Sequence, residues 1–157
     1  MNRVALVVLT LATLAVAAAP RAALAAPFGL GPRAGFSAGP DQFVVGLGLV
    51  RPLSPRIELS PGLDFGFGGD AFTIALNGDV RVNVALESNL KPYVGFGITW
   101  ITVNPDAAGA DTYDEVGGSL LAGIWINRGH WPELNVEARL GLGDVPDFKA
   151  MLGFSVF

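Results

Sequence analysis

The sequence predicts an all-β chain: an eight-stranded antiparallel up-and-down β-barrel that crosses a membrane. Three observations carry that prediction. The first is the period-two alternation of Arg56 to Val84, where Ile57, Leu59, Leu63, Phe65 and Phe67 share one parity and Glu58, Ser60, Gly62, Asp64 and Gly66 the other, with Pro61 the only break. After Gly68-Gly69-Asp70 it resumes, with Phe72, Ile74, Leu76, Val80, Val82 and Val84 against Thr73, Ala75, Asn77, Asp79, Arg81 and Asn83. Successive side chains of a strand face opposite sides, so this is a hairpin with one oily and one polar face. The second is strand length. About eleven residues at roughly 3.3 Å each, tilted by about 40°, project to roughly 28 Å, which suits the ~25 Å apolar band of a membrane barrel. The third is composition. Hydrophobic residues make up 51% of the chain and charged ones 15%, against about 25% charged in soluble domains. Beyond the N-terminal segment no apolar run approaches the length of a spanning helix. A chain this oily hides its apolar residues by alternation, and in lipid only a closed barrel satisfies the backbone of strands.

The N-terminus has the pattern of a cleaved signal peptide over residues 1–25. Met1-Asn2-Arg3 is a short basic start, Val4 to Ala19 is apolar, and Ala23-Leu24-Ala25 offers the small-x-small site. Cleavage is expected after Ala25, with Ala26 as the alternative. Residues 26–157 then form one domain. Of 10 basic residues, 8 remain once Arg3 and Arg21 are removed, against 14 acidic ones, a net charge of −6. That balance argues against nucleic acid as a partner, because phosphate binding needs a basic face. Cysteine is absent, which excludes disulfides and thiolate metal or redox chemistry.

A first strand is expected over about Leu30–Ser37, turned by Gly39-Pro40-Asp41. The second runs from Gln42 to Arg51, with Phe43, Val45, Leu47 and Leu49 on one face, and Pro52-Leu53-Ser54-Pro55 turns it. The Arg56–Val84 hairpin supplies the third and fourth. Glu87-Ser88-Asn89 leads into the fifth, Lys91–Thr102, with Val94, Phe96, Ile98 and Trp100 outward. Residues 104–115 read as the longest and most acidic loop. The sixth strand is Val116–Asn127, and the seventh, Glu133–Gly143, sets Leu134, Val136, Ala138, Leu140 and Leu142 against Glu133, Asn135, Glu137 and Arg139. The last, Asp147–Phe157, turns Phe148, Ala150, Leu152, Phe154 and Val156 outward. An even number of strands puts both termini on one side, with 52–55, 86–90 and 127–132 as periplasmic turns and 38–41, 68–70, 103–115 and 143–146 as external loops.

A lipocalin-like soluble barrel also alternates. Two features favour oily-side-out. The polar parity is rich in Gly, Ser, Asn and Thr, a poor coat for a soluble protein but a good filling for a narrow lumen. The aromatics Phe43, Phe65, Phe67, Phe72, Trp100 and Phe148 fall at the external ends of strands on the oily parity, as a membrane girdle does. Tyr93, Trp125 and Trp131 lie near the opposite end but do not share one parity.

With its signal peptide, the phrase Lys91-Pro92-Tyr93-Val94-Gly95-Phe96-Gly97, the Pro52-Leu53-Ser54-Pro55 turn and the final Gly153-Phe154-Ser155-Val156-Phe157, the chain resembles the small outer-membrane β-barrel family, which includes the membrane domain of outer-membrane protein A and the outer-membrane protein X group. The resemblance implies that Phe157 is an assembly signal read by the outer-membrane assembly machinery. It departs from the family pattern in that Phe157 shares parity with Ser155 and Gly153 rather than with Leu152, Phe154 and Val156.

The interior charges are expected to be Arg33, Glu58, Asp64, Asp79, Arg81, Glu137, Arg139 and Lys149. Glu58 falls opposite or diagonal to Arg81, which suits a cross-strand ion pair. The favoured reading is a plug of ion pairs that fills the lumen; the other is a gated ion path. Asp106, Asp111, Asp114 and Glu115 are hard oxygen ligands suited to Ca²⁺, but their spacing matches no EF-hand and a solvated loop is the favoured reading. His130, the only histidine, sits in a turn with no nearby serine to activate. Gly95-Phe96-Gly97 and Gly66-Phe67-Gly68-Gly69 are strand and turn glycines, since no helix follows to make a phosphate site. No catalytic, metal or cofactor site is expected. The chain reads as a non-enzymatic, monomeric outer-membrane protein with membrane lipid and lipopolysaccharide as partners and a structural or interaction role. The alternatives are a lipid-modifying barrel enzyme, or a soluble periplasmic lipocalin-like barrel with an apolar ligand.

Overall fold

A computed structural model describes residues 28–84, 89–107, 109–126 and 133–155. The expected signal peptide, much of the 86–90 turn, the 127–132 turn with His130 and Trp131, and the terminal Val156-Phe157 lie outside the described residues. The strands are β1 (Gly29–Ala38), β2 (Gln42–Pro52), β3 (Ile57–Gly68), β4 (Ala71–Asn83), β5 (Leu90–Pro105), β6 (Tyr113–Ile126), β7 (Glu133–Gly143) and β8 (Phe148–Ser155). They pair antiparallel in chain order, and β1 closes on β8 into a barrel. The β3–β4 turn holds Gly69 and Asp70 at φ 64° and 61°. Both positive values suit a two-residue type I′ turn, whose twist matches that of the strands it joins. At Pro61, which lacks an amide hydrogen, the Ser60 hydroxyl donates to the Leu49 carbonyl at 2.9 Å and ties β3 to β2 there.

The expected loop over 104–115 is shorter than the sequence suggested. β5 runs on through Asn104 and Pro105, and β6 begins at Tyr113, which leaves 106–112 as the connection. The acidic composition pointed to a loop, but the ladder continues above the apolar band: Thr102 lies opposite Asp114, and its hydroxyl donates to that carboxylate at 2.6 Å. Asp114 and Glu115 are therefore strand residues. Ile101 and Val103 stay buried on the inner face of the same extension.

The outer wall is apolar. Val94, Phe96, Ile98, Leu120, Leu140, Leu142 and Leu152 are all exposed, as a surface solvated by acyl chains requires. Leu120 sits mid-wall between Phe96 and Leu140. Leu120→Arg is expected to cost about 2–4 kcal/mol in urea unfolding from phosphocholine vesicles, the penalty of an arginine near the bilayer midplane. Asp114→Arg, beyond the apolar band, is expected to shift the same midpoint little. Equal effects would speak for a wall that faces water.

Candidate functional site

The lumen is where the polar chemistry gathers. Strand geometry sends residues i, i+2 and i+4 to one face, and two strands use it alike: β4 turns Asn77, Asp79 and Arg81 inward, and β7 turns Asn135, Glu137 and Arg139 inward. Each is an Asn-x-acid-x-Arg triplet. The two strands are not neighbours in the sheet, so their side chains meet across the barrel. Arg81 Nη2 donates to Glu137 Oε2 at 2.7 Å, and Arg139 Nη2 donates to Asp79 Oδ2 at 2.5 Å and to Glu137 Oε1 at 3.1 Å. Arg139 Nη1 reaches Asn77 Oδ1 at 3.1 Å, which also accepts from the Thr99 hydroxyl at 2.9 Å.

Asp64 on β3 forms a second centre. It accepts from Arg33 Nε at 2.7 Å, Lys149 Nζ at 3.0 Å and Asn77 Nδ2 at 3.0 Å. Asn77 thus joins the two centres, and the network touches β1, β3, β4, β5, β7 and β8. It holds four cations (Arg33, Arg81, Arg139, Lys149) and three carboxylates (Asp64, Asp79, Glu137). Ions so far from water are tolerated only when paired and hydrogen-bonded.

The expected Glu58–Arg81 pair is not formed, although the two residues stand directly opposite in the β3–β4 register. Glu58 accepts instead from Asn83 Nδ2 at 2.6 Å. Arg81 lies over the rings of Tyr93 and Trp125, at 4.9 and 5.8 Å from their centroids, and reaches past them to Glu137. An arginine long enough to span a narrow lumen is drawn to the more deeply buried acid. Tyr93 and Trp125, which the sequence placed near the barrel end without a common parity, are luminal and 1% and 5% exposed. Gly123 makes the room: a Cβ there would come within 2.4 Å of the Tyr93 phenol. The Tyr93 hydroxyl donates to Glu137 Oε2 at 2.8 Å and accepts from Asn135 Nδ2 at 2.9 Å. Nothing in a neighbour-strand reading marked these two aromatics or the asparagines; the repeated triplet was the signal that could have.

At the end opposite the termini the lumen is closed differently. Gln42 Nε2 donates to the Gly68 and Ala71 carbonyls at 3.0 and 2.8 Å, and its Oε1 accepts from Thr73 at 2.8 Å. The 144–147 connection folds Val145 inward against Ala71, Ala75, Ile101 and Val103. Above this apolar cap lies an open cup of about 410 Å³ whose lining includes Asp70, Tyr113, Glu115 and Asp144. Partial desolvation, and then Asp144, push the Glu115 carboxyl above its ordinary range. Among the described residues, no three or more His, Asp or Glu side chains converge as a metal site.

Of the aromatics expected as a girdle, Phe43, Phe67, Trp100 and Phe148 are exposed on the outer wall. Phe65 and Phe72 are half-buried there, where Phe72 packs on Phe65 and Phe67 at 6.4 and 5.3 Å between centroids. Phe36, which the sequence reading did not include, packs edge-on against Phe43 at 5.4 Å. Trp100 sits five residues below the end of the extended β5, so it does not mark the strand end. A groove of about 690 Å³ runs along the wall between Phe36, Phe43 and Phe154, with Ala34 and Ala150 among its lining.

No protein-family model and no curated protein matches the sequence. Solved structures do match. Neisserial surface protein A is similar at 13% identity and a TM-score of 0.68, over 82% of this chain and 96% of that one. The N-terminal β-barrel domain of Pseudomonas aeruginosa OprF is similar at 14% identity and a TM-score of 0.70, again over 82% and 96%. The outer membrane enzyme PagL is similar at 14% identity and a TM-score of 0.52, over 82% and 99%. At these identities the likeness is one of fold, and the fold is the eight-stranded transmembrane β-barrel.

Proposed function

We propose that the protein is a non-enzymatic, monomeric barrel of the outer membrane, delivered by a cleaved signal peptide, with a sealed lumen and a structural or interaction role in the envelope. One observation carries the reading: two clusters of ion pairs, joined by the hydrogen bonds of Asn77, span the lumen from Arg33 and Lys149 through Asp64 to Arg139, Glu137 and Arg81. An ion entering this lumen would have to break several charge-assisted bonds at once, each worth more than a neutral hydrogen bond. The apolar wall and the groove between Phe36 and Phe154 suit acyl chains of membrane lipid or lipopolysaccharide as the contacting partners. Phe157 suits recognition by the assembly machinery. In planar bilayers the mature protein is expected to show no sustained unit conductance in molar KCl. Regular open steps from the unaltered protein would replace the sealed barrel with a gated path.

A further inference from the structure

We infer that the lumen holds a binding site for one small monovalent anion of halide size, at the barrel end that carries the termini. A cavity of about 30 Å³ lies there, lined by Arg33, Arg81, Trp125, Glu137 and Ser155 among others. That is room for one halide, since a cavity can hold a water from roughly 10–15 Å³ upward. Four of the lining residues carry a buried polar atom that no group among the described residues engages: Arg33 Nη2, Arg81 Nε, Trp125 Nε1 and Ser155 Oγ. Arg81, Trp125 and Ser155 are 3%, 5% and 2% exposed. Guanidinium and indole N–H groups can only donate, so the cavity offers donors in surplus. A water molecule would need acceptors for its own hydrogens. Glu137, the acid in the wall, already accepts from Arg81, Arg139 and Tyr93, three of the roughly four hydrogen bonds a carboxylate takes.

Charge points the same way. Among the described residues the luminal network has one more cation than carboxylate, and Arg51 and Glu58 toward the same end add one of each. A single negative charge in the cavity would balance it, where an uncompensated buried cation is costly. The Ser155 hydroxyl, able to donate or accept, would turn its hydrogen to the anion.

The test uses the mature barrel refolded in detergent, with urea midpoints measured in sodium chloride and in sodium gluconate, whose anion is too large for the cavity, at equal ionic strength. Saturable stabilisation by chloride is expected, and Trp125→Phe and Ser155→Ala, which each keep most of the side-chain volume, are expected to weaken the apparent chloride affinity at least tenfold. The same chloride response in both variants as in the unaltered protein would overturn the site. A crystal of the unaltered protein soaked in bromide gives an answer that does not depend on the variants folding. Anomalous density within hydrogen-bonding reach of Trp125 Nε1 and Arg81 Nε supports the site, and density for water alone refutes it. Either result leaves the sealed-lumen reading to stand or fall on conductance.

Discussion

Asp64→Ala is expected to lower the unfolding free energy by about 3–5 kcal/mol, the scale of leaving a buried charge without its partner. Asp64 is 3% exposed and is the carboxylate to which both Arg33 and Lys149 are bonded, so its removal strands two cations. Asp64→Asn keeps the shape and a hydrogen-bond acceptor, and is expected to lose less than the alanine variant. Adding Lys149→Met to Asp64→Ala should recover part of the loss, because the second change removes a charge that has become unpaired. Urea titration in lipid vesicles, followed by tryptophan fluorescence, measures all three. A loss below about 1 kcal/mol for Asp64→Ala would mean that water reaches these charges and that the lumen is less sealed than the ion pairs suggest.

Glu137→Ala is expected to cost a similar amount, and a double-mutant cycle locates its origin. Coupling between Arg81 and Glu137 should lie at the upper end of the 0.5–3 kcal/mol seen for residues in one network. Coupling between Arg81 and Glu58 should fall within about 0.5 kcal/mol of zero, although those two stand opposite in adjacent strands. The reverse ordering would restore the cross-strand pair that the sequence alone suggests.

That contrast shows where the sequence is legible. Alternation reveals the strands and assigns nearly every side chain to a face, because parity is a local property and one buried face enforces it. It places Asp64, Asp79, Arg81, Glu137 and Arg139 in the lumen. It cannot say which of them touch, because register relates only neighbouring strands, while Arg81 and Glu137 are 56 residues apart on strands that face each other across the barrel. Tyr93 and Trp125 were obscured in another way. Both lie on the inner parity of their strands, but grouped with Trp131 near a barrel end, where aromatics usually mark the membrane interface, they showed no common face. Gly123, which leaves the space that the Tyr93 ring fills, supplies the missing clue only once the β5–β6 register is known. The acidic 104–115 segment misled because water-facing strand and loop have similar compositions above the apolar band.

The bonds that cross the lumen have a temporal meaning. Asp64 and Lys149 are 85 residues apart, and Arg139 and Asp79 are 60; each pair sits on strands that come together only when β1 meets β8. Contacts so distant in the chain form late, after most loop closure entropy has been spent. Interactions missing from the transition state leave the folding rate nearly unchanged and slow unfolding. The luminal ions therefore act on the lifetime of the barrel once it has closed, and Asp64→Ala should shorten that lifetime while the barrel closes at nearly its original speed.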